Sequence, residues 1–348
     1  MIKRGGITIE DVAKASGVSR QTVSRVINCG PNVKPSVRDR VEAAIEKLGY
    51  VPNLSARRMG GGRSFLILAI NDRQRTIENW KAGHGNDWVD QMLYGGMTEC
   101  ERHGYHLVFE LVDTDSADSV RQFTTALSSL RPDGVILTPP HSDNPDLVAI
   151  LAERNIPCAR VGHSESTENV DVHMDEEGAA RAATGHLIAL GHRRIAFIAG
   201  APNYGNSARR VSGFFQALET AGLDKTAGMV ANGDFHFDTA AEVIEPLLAL
   251  AERPTAIIAD NDAMAFAALH VADRRGLNVP SDLSIISFED TPGVRFSVPP
   301  LTAIRQPTAT MIGKACEKLI AISKGEKAQG SYQLPFELVV RTSTGSPM

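Results

Sequence analysis

No apolar run in this 348-residue chain approaches the roughly 18 residues that a membrane-crossing helix needs. Glu10, Asp11, Lys14 and Arg20 interrupt the first thirty positions, where a secretory leader would carry its apolar stretch. A soluble, cytoplasmic protein is expected. Cysteine is scarce: Cys29, Cys100, Cys158 and Cys316 stand too far apart in sequence for metal-ligand spacing or a disulfide framework, so they read as reduced thiols. Catalytic fingerprints are missing too. There is no P-loop or dinucleotide glycine pattern, and His163, His173, His186 and His192 form no nucleophile, base and orienter set with any motif serine. His186 and His192, in "ATGHLIALGHRRI", read as helix and loop-end residues rather than metal ligands. No metal, cofactor or catalytic residue is expected; an enzyme such as a sugar-modifying α/β protein is the remote alternative. No leucine heptads follow "ELVVRTST", which argues against a tetramerising tail.

What is present is unevenly distributed. At 43% hydrophobic residues the chain has the material for two or three cored domains. Its net charge of −5 conceals a basic head on an acidic body: residues 1–63 hold twelve Lys/Arg against five Asp/Glu, and the remainder holds 24 against 36. Such a head suits a polyanionic partner, although charge alone leaves open a merely solvated helical surface.

Periodicity sharpens the head. Thr8 and Asp11 form a T-x-x-D helix start, with Ile9, Val12 and Ala13 on one face. Gly17 supplies a turn, and Ser19 is placed to cap a second helix whose Val23, Val26 and Ile27 face inward. Arg20, Gln21, Ser24 and Arg25 are left outside. A third helix is predicted from Pro35 to Leu48, stopped by Gly49. Helix, glycine turn, helix is the helix-turn-helix arrangement, whose second helix enters the DNA major groove, though the geometry also occurs away from DNA. Arginine pairs with guanine O6 and N7 and glutamine with adenine N6 and N7, so the exposed set has base-reading chemistry; Ser19 and Ser24 suit phosphates.

"ITIEDVAKASGVSRQTVSRVIN" and "VEAAIEKLGYVPNLSARRM", with "PPLTAIRQP" far downstream, resemble the LacI/GalR family of bacterial transcriptional regulators along the whole chain. The resemblance implies base reading by Arg20, Gln21 and Arg25, within a DNA-contacting set of Thr8, Ser19, Arg20, Gln21, Thr22, Ser24, Arg25 and Asn28. Lys34 stands where the family commonly has a Ser or Thr cap, a departure that weakens the start of the third helix. "PNLSARRMGGG" (52–62) is too short for a stable isolated helix. By resemblance it is a hinge helix that forms on operator DNA, with Asn53, Ala56, Arg57 and Met59 contributing and Met59 wedging into the minor groove where leucine is usual. A flexible linker with incidental basic residues is the alternative.

After Arg63, strands alternate with helical stretches. "FLILAI" (65–70), "HLVFELV" (106–112), "GVILTPP" (134–140) and "CARVG" (158–162) form one series; "RIAFIAG" (194–200), "GMVANGD" (228–234), "AIIAD" (256–260) and "LSIISF" (283–288) form another. Two doubly wound parallel-sheet lobes are expected, with their strand ends facing one cleft. Asn71 and Asp72, Asp234 and Phe235, Asn261 and Asp262, and Glu289 and Asp290 follow those ends. Carboxylates and amides for hydroxyls plus an aromatic face suit a sugar. Each position alone also fits a helix cap.

The family's periplasmic-binding-protein-like body implies an effector set of Trp88, Glu177, Arg210, Phe235, Asn261 and Glu289, carried by "GNDWVDQ", "MDEEG", "SARRVSGF", "GDF", "ADNDAMA" and "SFEDT"; the strand-end reading adds Asp72. Glu177 and Glu289 stand where aspartate is common. "RQRTIENWKAGHG" (73–85) is longer than the family's usual turn and is expected as either a lid or a surface loop; Trp80 and His84 beside the mouth favour a disaccharide or glycoside. The expected organisation is a helix-turn-helix domain (1–51), a hinge helix and linker (52–62), and an effector-binding and dimerisation domain (63–348). That last domain divides into an N-lobe of 63–162 plus 291–325 and a C-lobe of 163–290 plus 326–348. The implied function is a homodimeric repressor on a palindromic operator, nucleoid-associated in a bacterial cytoplasm. A small carbohydrate-like effector would change lobe closure and so control genes of sugar uptake or catabolism. A transport binding protein would need a leader and has no use for residues 1–62.

Overall fold

The computed structural model describes residues 7–27, 32–50, 63–83, 85–114, 118–162, 168–224 and 228–347. The head comprises α1 (Ile9–Ser16), α2 (Arg20–Ile27) and α3 (Pro35–Leu48). Thr8 Oγ1 accepts from the Asp11 N–H while the Asp11 carboxylate accepts from Thr8, a reciprocal cap that fixes where α1 begins. Gly17, at φ +65°, turns the chain in a conformation that would strain a side chain. Helix α3 starts at Pro35 with no side-chain cap from Lys34. Val12, Val23, Val26, Val41, Ala44 and Tyr50 close the core among the three helices.

The body holds two six-stranded sheets. In chain order the strands are β1 (Leu66–Asp72), β2 (His106–Val112), β3 (Gly134–Leu137), β4 (Cys158–Val161), β5 (Val170–Met174), β6 (Ile195–Ala199), β7 (Gly228–Asn232), β8 (Ala256–Ala259), β9 (Ser284–Glu289), β10 (Thr302–Arg305), β11 (Gly330–Leu334) and β12 (Glu337–Val339). The first sheet runs β11-β5-β4-β3-β1-β2, all parallel; the second runs β12-β10-β9-β8-β6-β7, parallel except where β12 meets β10. The first strand of each series, β1 and β6, lies inside its sheet where the winding reverses, so the carboxyl ends there open a crevice.

Ten further helices cover the sheets: α4 (Arg73–Ala82), α5 (Asp87–Arg102), α6 (Ser119–Leu130), α7 (Pro145–Glu153), α8 (Glu176–Ala189), α9 (Gly205–Thr220), α10 (Phe237–Ala249), α11 (Asp262–Arg274), the short α12 (Pro292–Phe296) and α13 (Thr308–Ser323) among the described residues. Helices α5 and α13 bury Met92, Met311, Ile312 and Leu319 against one face of the first sheet; Phe123 and Leu127 of α6 with Leu147 and Leu151 of α7 fill the other. Gly95 permits this pairing, since a Cβ there would stand 2.0 Å from the Ala309 carbonyl oxygen. The second sheet is enclosed by α10 and α11 on one face and by α8 and α9 on the other.

Each of the eight expected strand stretches contains a strand, but the division into lobes needs correction. Strand β5 (170–174), assigned above to the C-lobe, pairs with β4 in the first sheet, as does β11 (330–334) through β5. Strand β10 (302–305), assigned to the N-lobe, pairs with β9 in the second. The chain therefore passes between lobes three times, through Asp175, through Gln306–Pro307 and through Pro335–Phe336. Phe65 lies outside β1 at φ +58°, and β1 extends through Asn71 and Asp72.

Candidate functional site

On the head, Arg20, Gln21 and Arg25 are exposed along α2 while Val23 and Val26 are buried beneath them. Ser19 Oγ accepts from the Thr22 N–H at 3.2 Å and lies 2.9 Å from Thr22 Oγ1, which fixes the start of α2. Arg20 pairs with Glu10 at 3.3 Å, but both side chains are mostly exposed, so the pair is cheap to break. Thr8 is exposed with its hydroxyl engaged by Asp11, and Ser24 is half-buried. Asn28, Asn53, Ala56, Arg57 and Met59, with the whole hinge, lie outside the described residues.

Between the lobes is a cavity of 170 Å³. Six of the seven expected effector residues line it: Asp72, Trp88, Arg210, Phe235, Asn261 and Glu289. Asp72 caps α4 by accepting from the Arg75 N–H at 3.2 Å and also accepts from Tyr204 Oη at 2.9 Å. Trp88 Nε1 donates to Asn71 Oδ1 at 3.3 Å, which steadies the indole against the first lobe. Asn261 caps α11 through Oδ1 and donates from Nδ2 to the Phe235 carbonyl at 3.1 Å. That grip holds a strained turn, for Asp234 and Phe235 both have positive φ, at 54° and 56°. Gly200 leaves room for the Phe235 ring, where a Cβ would stand 1.9 Å from Cζ.

Glu177 is a correction. It accepts from Gln216 Nε2 at 3.2 Å and lies 3.7 Å from Arg181, on a partly exposed face of α8 away from the cavity. The buried Glu176 turns inward instead, accepting from Arg210 Nε at 2.6 Å. Adjacent helical positions diverge by about 100°, so a one-residue difference exchanges one environment for the other.

Arg210 also departs from expectation. Its guanidinium is 2% exposed, with Nη1 donating to Asp260 Oδ1 at 2.7 Å and its plane 4.5 Å from the Phe288 ring centre. Burial opposes its charge, but Glu176 and Asp260 outweigh that and hold its pKa above the ordinary value. Only Nη2 has no protein partner among the described residues, so the fork expected to meet a ligand is mostly spent internally.

The 73–85 segment forms helix α4 over 73–82, a wall of the cavity and a clasp on the opposite lobe. Arg75 donates to Tyr204 Oη at 3.2 Å and to the Asp234 carboxylate at 3.1 Å, with its guanidinium 5.2 and 5.3 Å from the Tyr204 and Phe235 rings. Glu78 and His236 add a second link at 3.6 Å. Trp80 is half exposed and does not line the cavity; His84 lies outside the described residues. Sequence reasoning missed Arg75 and Tyr204. Tyr204 follows the carboxyl end of β6, where the strand-end rule applied to the remaining loops would have found it.

Electrostatically the cavity is acidic. Burial pushes the Glu289 carboxyl up to about 8, reinforced by the charge of Asp262. Burial likewise raises Asp262 to about 7, against hydrogen bonds from Ser287 Oγ and the Thr291 N–H. Asp87 is raised by burial and by Asp90. Carboxylates, amides and the rings of Trp88, Phe235 and Tyr204 around one volume suit a polyhydroxylated small molecule with an apolar face.

Residues 8–53 match the bacterial regulatory proteins of the lacI family, and residues 184–344 match a periplasmic binding protein-like domain. The chain is 33% identical over 350 residues to the HTH-type transcriptional regulator CelR of Thermobifida fusca, covering 98% of each. It is 33% identical over 341 residues to catabolite control protein A of Priestia megaterium, covering 97% of this chain and 99% of that one. Among solved structures, a lac repressor dimer bound to operator and the anti-inducer ONPF aligns with a TM-score of 0.80 at 28% identity, over 98% of this chain and 100% of that one. The transcriptional regulator CelR in complex with cellobiose aligns at 0.72 with 31% identity, over 97% and 99%. By full-length similarity and by its helix-turn-helix head, this chain belongs to the lacI family of bacterial regulatory proteins.

Proposed function

We propose that the protein is a sequence-specific transcriptional repressor. It acts as a homodimer on a palindromic operator under allosteric control by a small carbohydrate-like effector, and it regulates genes of sugar uptake or catabolism. One observation carries the reading: a single polypeptide joins an outward-facing Arg20, Gln21 and Arg25 set to a cavity walled by both lobes. One head offers few base contacts, so two copies on related half-sites supply the specificity. Asn53, Ala56, Arg57 and Met59 keep their sequence-based place in the minor groove. An effector that favours one degree of lobe closure shifts the spacing of the heads, and by linkage operator must alter effector affinity by the same factor.

The test has two stages. Fragments of the host genome are selected on the purified protein, and mono- and disaccharides are screened by thermal shift, since a native-state ligand raises Tm. The best sugar is then titrated with and without the selected fragment. A difference in affinity is expected; identical affinities would rule out the coupling.

Two narrower outcomes follow from named side chains. Arg25→Ala is expected to relax preference at one operator position, at a cost of ~1–3 kcal/mol. An unchanged binding-site selection would remove Arg25 from the reading set. For the dimer, each lobe presents exposed apolar side chains, Tyr94 and Met97 on α5, and Phe296 and Val298 at 81% and 92% exposure beside α12. Phe296→Asp combined with Val298→Asp is expected to yield monomers in sedimentation velocity with the cavity unchanged, and persistence of the dimer would place the interface elsewhere.

A further inference from the structure

The strongest hydrogen-bond donors around the cavity are largely engaged by the protein itself. Arg75 spends its guanidinium on Tyr204 and Asp234, and Arg210 spends Nε and Nη1 on Glu176 and Asp260. The amide nitrogens of Asn71 and Asn261 go to Thr76 Oγ1 and the Phe235 carbonyl. Acceptors are left over. Among the described residues, Asn206 Oδ1 is buried at the cavity wall with no partner, and the Glu289 carboxylate receives only the Asp262 N–H, at a long 3.4 Å.

Charge is out of balance in the same direction. Both arginines are neutralised by carboxylates of the protein, which leaves Glu289, Asp262 and Asp87 on the wall without an ion-pair partner among the described residues. The charged groups facing Glu289 are Asp262, Asp87 and Arg210, and Arg210 is already committed. The Glu289 backbone is held at φ +101°, a conformation that glycine favours and a glutamate adopts under strain. Strain of that kind persists where it positions a working group. A second cavity, of 190 Å³, adjoins the first and shares Asp87, Trp88, Glu289 and Gln306 with it, so these acids stand at a junction beside an indole. An ammonium group suits this wall: it supplies donors to the remaining acceptors, countercharge to the carboxylates, and a cation for the aromatic face. A phosphate would meet acids and two cancelled arginines.

We infer that the cavity selects an effector bearing a protonated amine, an aminated sugar in preference to a neutral or phosphorylated one, with the ammonium between Glu289 and Asp87 beside Trp88. This rests on the carbohydrate reading above and narrows it. Occupancy by the ammonium favours ionised Glu289, so binding releases a proton at neutral pH.

The experiment is calorimetric titration of the full-length protein with matched pairs: D-glucosamine against D-glucose, and the β-1,4-linked glucosamine dimer against cellobiose. The aminated member of at least one pair is expected to bind tenfold or more tightly than its neutral partner. Its heat should vary with buffer ionisation enthalpy as a released proton requires. Glu289→Gln is expected to erase the preference, and Asp87→Asn, at the surface end of α5, to reduce it; thermal melts of both variants establish that they are folded. Equal affinity within each pair, or a preference that survives Glu289→Gln in a folded variant, overturns the amine inference and leaves the carbohydrate reading standing. Absence of binding by all four sugars at millimolar concentration overturns both.

Discussion

Arg210→Ala is expected to destabilise the body by ~3–5 kcal/mol, the range for removing one partner of a buried ion pair and leaving the other uncompensated. The side chain is 2% exposed and stands between Glu176 and Asp260, which are 6% and 0% exposed. Its loss leaves two largely buried carboxylates side by side without a countercharge. Asp260 also accepts from Ser207 Oγ and, at 2.9 Å, from the Gly200 N–H, so the damage should spread to the loop beneath Phe235. Urea unfolding of the wild type and variant measures the effect. Adding Glu176→Gln to Arg210→Ala should recover part of it, because an amide tolerates burial better than an unpaired carboxylate. A change below about 1 kcal/mol, or no recovery in the double variant, would show that the guanidinium serves a ligand alone.

The second large effect is a fall in stability with rising pH. Glu289 and Asp262 have folded pKa values raised by burial to about 8 and about 7, from ordinary values of 4.5 and 3.8. Below about pH 3 both carboxyls are protonated whether folded or not, and they contribute no pH dependence. Between there and pH 8 the folded protein holds protons that the unfolded chain has released, so stability declines as pH rises, by up to about 1.4 kcal/mol per pH unit for each proton retained. Above pH 8 the penalty is complete. Melting curves from pH 5 to pH 9 should show a declining Tm, and the decline should be shallower in Glu289→Gln. Parallel profiles for the two proteins would mean that Glu289 ionises freely in the folded state.

Much of the head was legible because its determinants are local. The Thr8 and Asp11 cap, the Gly17 turn and the valine spacing in α2 all act within four residues, and the structure realises them. The strands that could be recognised were short β-branched runs bounded by turn residues. Those that could not, "VDVHM", "TAIR", "GSYQL" and "ELV", are short and carry polar residues; β11 and β12 lie at sheet edges, where burial asks less of the sequence. Without these strands the lobe boundaries cannot be placed from sequence, because pairing partners far apart in the chain decide which sheet a strand joins. In the cavity, strand-end positions pointed to Asp72, Phe235, Asn261 and Glu289. Glu177 lies off the cavity because its side chain leaves the helix on another face, and Arg75 is not legible in sequence because its partners lie 129 and 159 positions away.

The three passages of the chain between the lobes bear on how the body would respond to a protease. Cleavage at any one, for instance between Pro335 and Phe336, divides the chain into two polypeptides but leaves the lobes joined by the other two crossings, so the released segment is held by packing and sheet pairing alone. The same redundancy restricts travel: a swivel about one tether is resisted by the other two, and the permitted excursions are those that all three tolerate together.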